Sequence, residues 1–188
     1  MDELADIDRI VLPADKYESI VSHCRRKRAG DFRDDETAEK KAYGLLGGRI
    51  EDDEIQTTHV FNLRQNRRQD EPYRERMNEL MAEHAVTSET PMERRGWVAD
   101  PAEIHRAQQT CYDAGSLLFG NYHMHRVPWS HDPERDTCTE LDGEIARGQG
   151  QWVFIVSMVD PEDPTIRAFF EADNSREADV MITEDTGS

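Results

Sequence analysis

The chain contains one stretch around which its other elements are arranged, Gly120-Asn-Tyr-His-Met-His-Arg-Val-Pro-Trp-Ser-His-Asp-Pro-Glu-Arg-Asp136. Side chains two residues apart on an extended backbone point to the same side, so His123 and His125 can converge on one metal ion. Asp136 follows far enough behind for the loop to return and supply a third ligand. Two histidines and one carboxylate leave the fourth position of a tetrahedral Zn²⁺ open for water, which is typical of a hydrolytic site. The alternative is an ordinary pair of histidines at a strand end.

Composition limits the classes of protein to consider. The length of 188 residues suits one domain with an insertion. The formal charge of −17, from 40 acids against 23 bases, argues against nucleic acid and against an anionic membrane surface as partners. Cys24, Cys111 and Cys138 form no Cys-x-x-Cys pair, which favours reduced thiols and a cytoplasmic location. Many acids with little lysine also suit a salt-adapted host, but a GC-rich genome favours arginine too.

Hydrophobic periodicity and turn residues predict an alternation of strands and helices. We expect strands near 9–13, 42–48, 55–63, 116–122, 151–159 and 166–171, and helices near 14–28, 72–84, 101–113 and beyond residue 136. Residues 67–98 are polar and read as an insertion or a partner-facing flap. Residues 173–188 are acidic and form either a tail or an edge strand.

Two separate features resemble the Jab/MPN (JAMM) metalloprotease family. One is the run Gly120-x-Tyr-His-x-His125 with the step to Asp136, and the other is Gly44-Leu-Leu-Gly-Gly48 followed by Asn62 or Asn66. The resemblance implies an α/β fold in which a mixed sheet is flanked by helices, with Jab/MPN, cytidine deaminase-like architecture. The domain would then span residues 1–172, with the insertion at about 67–98 and a tail or edge segment at 173–188. The deaminases themselves need His-x-Glu and Pro-Cys-x-x-Cys, and the chain has neither.

The chain departs from the family pattern at three positions. Arg126 stands where the family has proline after the second histidine, and Pro133 stands where it has serine, so Ser130 is the nearest hydroxyl donor. Lys41 stands at the position of the catalytic glutamate, and a protonated lysine cannot act as a base. Glu39, two residues earlier, is the candidate replacement.

Family resemblance implies a zinc-dependent isopeptidase or peptidase that acts on a protein modifier or a short C-terminal tail, such as a ubiquitin-like or sulfur-carrier protein. Zn²⁺ on His123, His125 and Asp136 would activate water, Glu39 would accept its proton, and Ser130 would stabilise the oxyanion. One alternative is a metal-binding but catalytically impaired protein that acts as a binding or scaffold module. Another is an unrelated metal hydrolase, although an amidohydrolase-type barrel needs a far longer chain.

Overall fold

In residues 3–88 and 90–184, which this computed structural model describes, the chain forms seven strands and four α-helices. The strands are β1 (Arg9–Pro13), β2 (Tyr43–Glu51), β3 (Glu54–Asn62), β4 (Leu117–His125), β5 (Trp152–Ser157), β6 (Thr165–Phe170) and β7 (Glu177–Thr183). The helices are α1 (Ala14–Ala29), α2 (Tyr73–His84), α3 (Pro101–Asp113) and α4 (Glu140–Ala146). Within the described ranges, none of the helices has the length and apolar character that crossing a bilayer requires.

Local sequence explains where several elements begin and end. Asp52 and Asp53 have φ values of 51° and 64°, so a two-residue turn in the left-handed region joins β2 to β3, as hairpin twist favours. α1 ends at Gly30, whose φ of 83° is the left-handed conformation that glycine adopts most easily. α3 begins at Asp100, whose side chain accepts a hydrogen bond of 2.7 Å from the backbone N–H of Ala102. These short-range signals are the part of the fold that the sequence predicts best.

The strands close into a barrel in the order β1-β3-β2-β4-β5-β6-β7, with β7 returning to β1. β1 is paired in parallel on both sides, with Ile10 opposite Ile55 of β3 and opposite Val180 of β7. β4 and β5 are also parallel, and the other neighbours are antiparallel. Every strand of the described barrel therefore has two hydrogen-bonded neighbours.

The predicted fold class, an α/β mixed sheet flanked by helices with Jab/MPN, cytidine deaminase-like architecture, is wrong. The sheet does not end in free edges, because β7 fills the gap between β6 and β1. Ala178 is buried while its neighbours Glu177 and Asp179 are exposed, which is the alternation of a strand with one face against a core. Closing the barrel satisfies the backbone groups that a free edge would expose.

A bulge in β4 decides which of its side chains face the barrel interior. Leu46 and Gly47 are adjacent in β2 but lie opposite Gly120 and Leu118, so Phe119 is an extra residue in β4. The bulge shifts the alternation by one residue. Phe119 packs inside the barrel, and after the bulge it is Tyr122 and Met124 that belong to the interior cluster. Asn121, His123 and His125 consequently point to the opposite side of the sheet.

Residues 67–98, the segment predicted as an insertion and called so below, are tied to the barrel at their base and are organised by one buried arginine. An isolated bridge joins Asn66 to Ala99, and Arg67 N–H donates to Val98 O at 2.8 Å. The Arg68 side chain is fully buried, and it donates to the carbonyl oxygens of Arg95 and Arg74 at 3.0 and 3.2 Å and to Asn78 Oδ1 at 2.5 Å. These hydrogen bonds join α2 to the irregular segment that follows it.

Candidate metal centre

The histidine pair lies at the end of β4, which is paired with β2 on one side and β5 on the other. In the ladders, His123 lies opposite Tyr43 of β2 and opposite Ile155 of β5, and His125 lies opposite Ser157. Met158 N–H donates to His125 O at 2.7 Å and fixes the backbone just where the strand ends. The predicted strand and its outward histidines are therefore present, on a central strand rather than on a loop.

His123, His125 and Asp142 form a group that could hold a metal ion, with one ligand atom from each residue within 4.8 Å of the others. The two Nε2 atoms are 3.1 Å apart, and the Asp142 carboxylate oxygens lie 3.4 Å from His123 Nε2 and 3.9 Å from His125 Nε2. Tetrahedral ligands about 2.0–2.1 Å from Zn²⁺ are about 3.3–3.4 Å from one another. The donor set and its spacing therefore fit a small divalent cation.

Protonation states at the site also suit a metal. His125 Nδ1 lies 3.0 Å from Arg135 O, and because a carbonyl only accepts, Nδ1 carries the hydrogen and Nε2 keeps its lone pair. Burial, together with the charges of His123 and Arg135, lowers the pKa of His125 to about 3 despite the opposing effect of Asp142. His125 is thus a neutral imidazole over the ordinary pH range, which is the form that binds metals.

Asp142 caps the first turn of α4 and also contributes its carboxylate to the candidate metal group. It is the third residue of α4, where its Oδ2 accepts from the backbone N–H of Thr139 at 2.7 Å in a capping box. Burial alone would raise the pKa of Asp142, but His123, His125 and the Thr139 N–H together hold it well below its usual range. The carboxylate is therefore ionised, and its Oδ1 is the oxygen that lies 3.4 Å from His123 Nε2.

His123 is oriented by stacking. Its ring lies parallel to that of Tyr43 at a centroid distance of 5.6 Å, and Tyr43 in turn stacks on Trp97 at 6.1 Å. The Tyr43 hydroxyl donates to Asn121 Oδ1 at 3.0 Å, which fixes the middle ring. His123 Nδ1 is buried without a hydrogen-bond partner in the described part of the chain, so packing sets the direction of its Nε2.

The third ligand predicted from spacing, Asp136, is not in this group. Its carboxylate lies 3.2 Å from Arg167 Nη1 on β6, and Arg167 also forms a bidentate pair with Glu177 at 2.7 and 2.8 Å. The Asp136 side chain is thus drawn toward β6 and β7. Sequence reasoning missed Asp142, although Thr139-x-x-Asp142 is a capping-box pattern that places a carboxylate in the first turn of a helix.

The predicted base Glu39 is held beside the site by other groups. Its Oε2 lies 2.8 Å from Lys41 Nζ and accepts a hydrogen bond of 3.0 Å from Asn66 Nδ2. Lys41 also donates to Gly96 O at 3.1 Å, and Lys41 rather than Glu39 is among the described residues that line the cleft over the histidines. In this arrangement the carboxylate faces a cation and an amide.

The predicted hydroxyl donor, Ser130, lies in a tight turn in which Trp129 and Asp132 exchange two backbone hydrogen bonds of 3.1 Å. It is exposed and is not among the described residues that line the cleft. Two charged residues of the loop between β4 and α4 do line the cleft, Arg126 and Arg135, and Arg135 is 7% exposed and has a left-handed φ of 52°.

The cleft over the triad has a volume of about 290 Å³, close to the roughly 300–1,000 Å³ of small-ligand sites. One wall comes from β4, α4 and the loop between them, and the other comes from the insertion. The insertion contributes Met81 of α2 and the cleft-lining residues between 86 and 97. Apolar and aromatic side chains lie beside arginines along its walls, so the cleft can contact a small organic ligand or a short peptide segment as well as an ion.

No protein-family model matches the chain, and no curated protein matches it. Among solved structures, the chain is similar to the solution structure of protein DSY2949 from Desulfitobacterium hafniense, at 19% identity and a TM-score of 0.53, over 94% of each chain. It is also similar to the solution structure of a protein from Salinibacter ruber, at 18% identity and a TM-score of 0.47, over 93% of this chain and 92% of that one. The first of these likenesses shows a shared fold.

Proposed function

We propose that the protein is a zinc-dependent peptidase or isopeptidase whose metal is held by His123, His125 and Asp142. The observation that carries the proposal is the convergence of two imidazoles and one ionised carboxylate at one cleft. The resemblance to JAMM enzymes enters only as a guide to ligands and reaction, since the predicted architecture is wrong.

A Zn²⁺ ion on three protein ligands supplies Lewis-acid activation of water and of a carbonyl group. The chain's own groups have separate tasks. The Arg135 carbonyl holds the His125 tautomer, the Tyr43 ring aligns His123, and Asp142 contributes the negative charge that a divalent cation needs. Glu39 is the group that accepts and returns a proton. To do so it must exchange its contact with Lys41 for a water molecule in the cleft.

The proposed substrate is a protein or peptide, with ubiquitin-like and sulfur-carrier proteins as the partners that the resemblance suggests. The free and buried thiols of Cys24, Cys111 and Cys138 support a cytoplasmic setting as part of the same proposal.

The test measures metal content and peptide hydrolysis in parallel. Protein purified without chelator should contain about one zinc per chain, and His123→Ala should lose it. Hydrolysis of a panel of internally quenched peptides should require zinc and should fall by at least about a hundredfold in Glu39→Gln, while the exposed Glu162→Gln should match the wild type. Absence of zinc even after its addition would refute the proposal.

A second candidate is a metal-binding module without catalysis. The observation that favours it is the pairing of Glu39 with Lys41, which leaves Asp142 as the carboxylate among the described cleft-lining residues. This candidate would be selected over the first if the protein bound one equivalent of zinc but cleaved no peptide, and if Glu39→Gln bound the same amount of zinc as the wild type.

A further inference from the structure

The cleft has the opposite charge balance to the rest of the chain. The protein carries a formal charge of −17. The described residues that line the cleft nevertheless include five cations and one acid: Lys41, Arg94, Arg95, Arg126, Arg135 and Asp142. Asp142 is already assigned to the metal, and of the cations Lys41 is paired with Glu39 and Arg135 with Asp132. A surplus of positive charge at one site of an acidic protein selects for an anionic ligand.

Arg135 is the cation built most firmly into this site. Its guanidinium carbon lies 3.5 Å from the centre of the Trp129 ring, so the group is stacked on the indole face. Stacking leaves the N–H groups at the rim of the guanidinium free to donate in its plane. Because its backbone carbonyl also accepts from His125 Nδ1 at 3.0 Å, this arginine is fixed relative to the triad.

The hydrogen-bonding capacity of Arg135 is not met within the described residues. Its Nε is buried and has no partner there. Its Nη1 lies 3.4 Å from Asp132 Oδ2, which is long beside the roughly 2.7–2.9 Å of a charge-assisted hydrogen bond. A buried hydrogen-bond donor without an acceptor is unfavourable unless a ligand accepts its hydrogen bond. A carboxylate can do so, because its two oxygens match the planar arrangement of the guanidinium N–H groups.

We infer that Arg135 binds a carboxylate of the substrate next to the metal triad, so that the substrate class is a peptide with a negative charge close to the bond at the metal. The inference rests on the proposed function in taking a peptide as the ligand. The carboxylate belongs either to a free C-terminus or to an acidic side chain, and both offer the same two oxygens. Arg135 is in this view a specificity-determining residue.

The experiment is calorimetric titration of chelator-treated protein, in which hydrolysis cannot interfere, with three forms of one N-acetylated peptide of glycine, alanine and leucine. The first has a free C-terminal carboxylate, the second is amidated, and the third is amidated and contains one glutamate. At least one carboxylate form should bind about tenfold more tightly than the neutral amide. The tighter of the two identifies the source of the carboxylate.

Variants separate the role of Arg135 from a general loss of structure. Arg135→Met should remove the tenfold preference, so that this variant binds the carboxylate forms no more tightly than the neutral amide, and Arg135→Lys should retain part of the preference. The exposed Arg106→Met on α3 should behave as the wild type. Equal binding of the three peptides, no binding of any, or an undiminished preference in Arg135→Met would overturn the inference. Zinc content, measured separately, decides the proposed function and does not depend on these results.

Discussion

The two walls of the cleft are held by different interactions. The β4 wall is a central strand with a hydrogen-bonded neighbour on each side, and its ligands extend from regular backbone. The described residues of the insertion wall between 86 and 97 include one short 3₁₀ turn, Met92–Arg94, and this segment depends on side chains such as Arg68 and Asn66. Asn66 Oδ1 accepts from the N–H groups of both Arg68 and Val98, at 3.0 and 2.9 Å.

The two kinds of support suit two different functions, metal binding and substrate contact. Metal ligation needs positions fixed to within a fraction of an ångström, which regular strands and helices supply. Contact with a variable substrate tolerates, and often requires, a segment of lower local stability. We therefore expect changes in the β4 wall to act on metal binding, and changes in the insertion wall to act on local opening with the metal site intact.

The largest expected effect comes from Asp142 of α4, the proposed third ligand. Asp142→Asn keeps an oxygen that can accept from Thr139 N–H but removes the charge, so zinc affinity should fall by more than the roughly 10- to 100-fold that outer-shell changes cost. Competition with a zinc-chelating dye measures this directly.

Asp136→Asn is the matched control, because it changes the same functional group in the loop that leads into α4. Since Asp136 pairs with Arg167 rather than with the histidines, its zinc affinity should stay within about threefold of the wild type. The reverse result, with Asp136→Asn losing zinc and Asp142→Asn keeping it, would restore the ligand set that sequence spacing predicted.

The insertion wall should respond most to Arg68→Met. This substitution leaves the carbonyl oxygens of Arg74 and Arg95 and the Asn78 side chain without their buried donor. The expected cost is about 3 kcal/mol, released as local opening. Hydrogen exchange of amides between 67 and 98 should accelerate by about a hundredfold, with the barrel amides and zinc content unchanged.

An exposed arginine on α2, Arg76, provides the control, and Arg76→Met should leave the exchange of these amides as it is in the wild type. If Arg68→Met instead lowered the protection of β4 and β5 equally, the insertion and the barrel would unfold together and the two walls would not be independent.

Sequence patterns located the elements because each depends on neighbours along the chain. The apolar run Trp152–Ser157 forms β5, Asp100 caps α3, and the spacing of His123 and His125 places both on one side of β4. These signals are local, and the ends of the observed elements differ from the predicted ends by only a few residues.

Closure of the barrel and the third ligand could not be predicted in this way. Pairing of β1 with β7 joins residues some 170 positions apart, and nothing in the short acidic strand Glu177–Thr183 marks its partner. Asp136 lies outside the candidate metal group and pairs with Arg167, which is distant from it in sequence. The unmet donor of Arg135 likewise exists only because the folded loop buries it.

The smallest expected effect concerns the support behind the β4 wall, where His23 Nδ1 lies 2.7 Å from the Tyr122 hydroxyl, which in turn donates to Asn62 Oδ1 at 2.6 Å. Burial, followed by the charges of Arg26, Lys27 and Arg33 and opposed by Glu36, lowers the pKa of His23 to about 4. The unfolded chain binds this proton with a pKa near 6.5, so the stability that neutral His23 contributes is fully present above pH 6.5 and is lost as the pH falls toward 4. Between pH 8 and pH 5 the loss should be about 2 kcal/mol, and His23→Asn, which keeps a donor for Tyr122, should abolish that part of the pH dependence.

Urea unfolding at the two pH values, in chelator so that zinc does not contribute, measures the difference. The exposed His105→Asn should keep the wild-type dependence, and an unchanged dependence in His23→Asn would show that β4 is not supported through this pair.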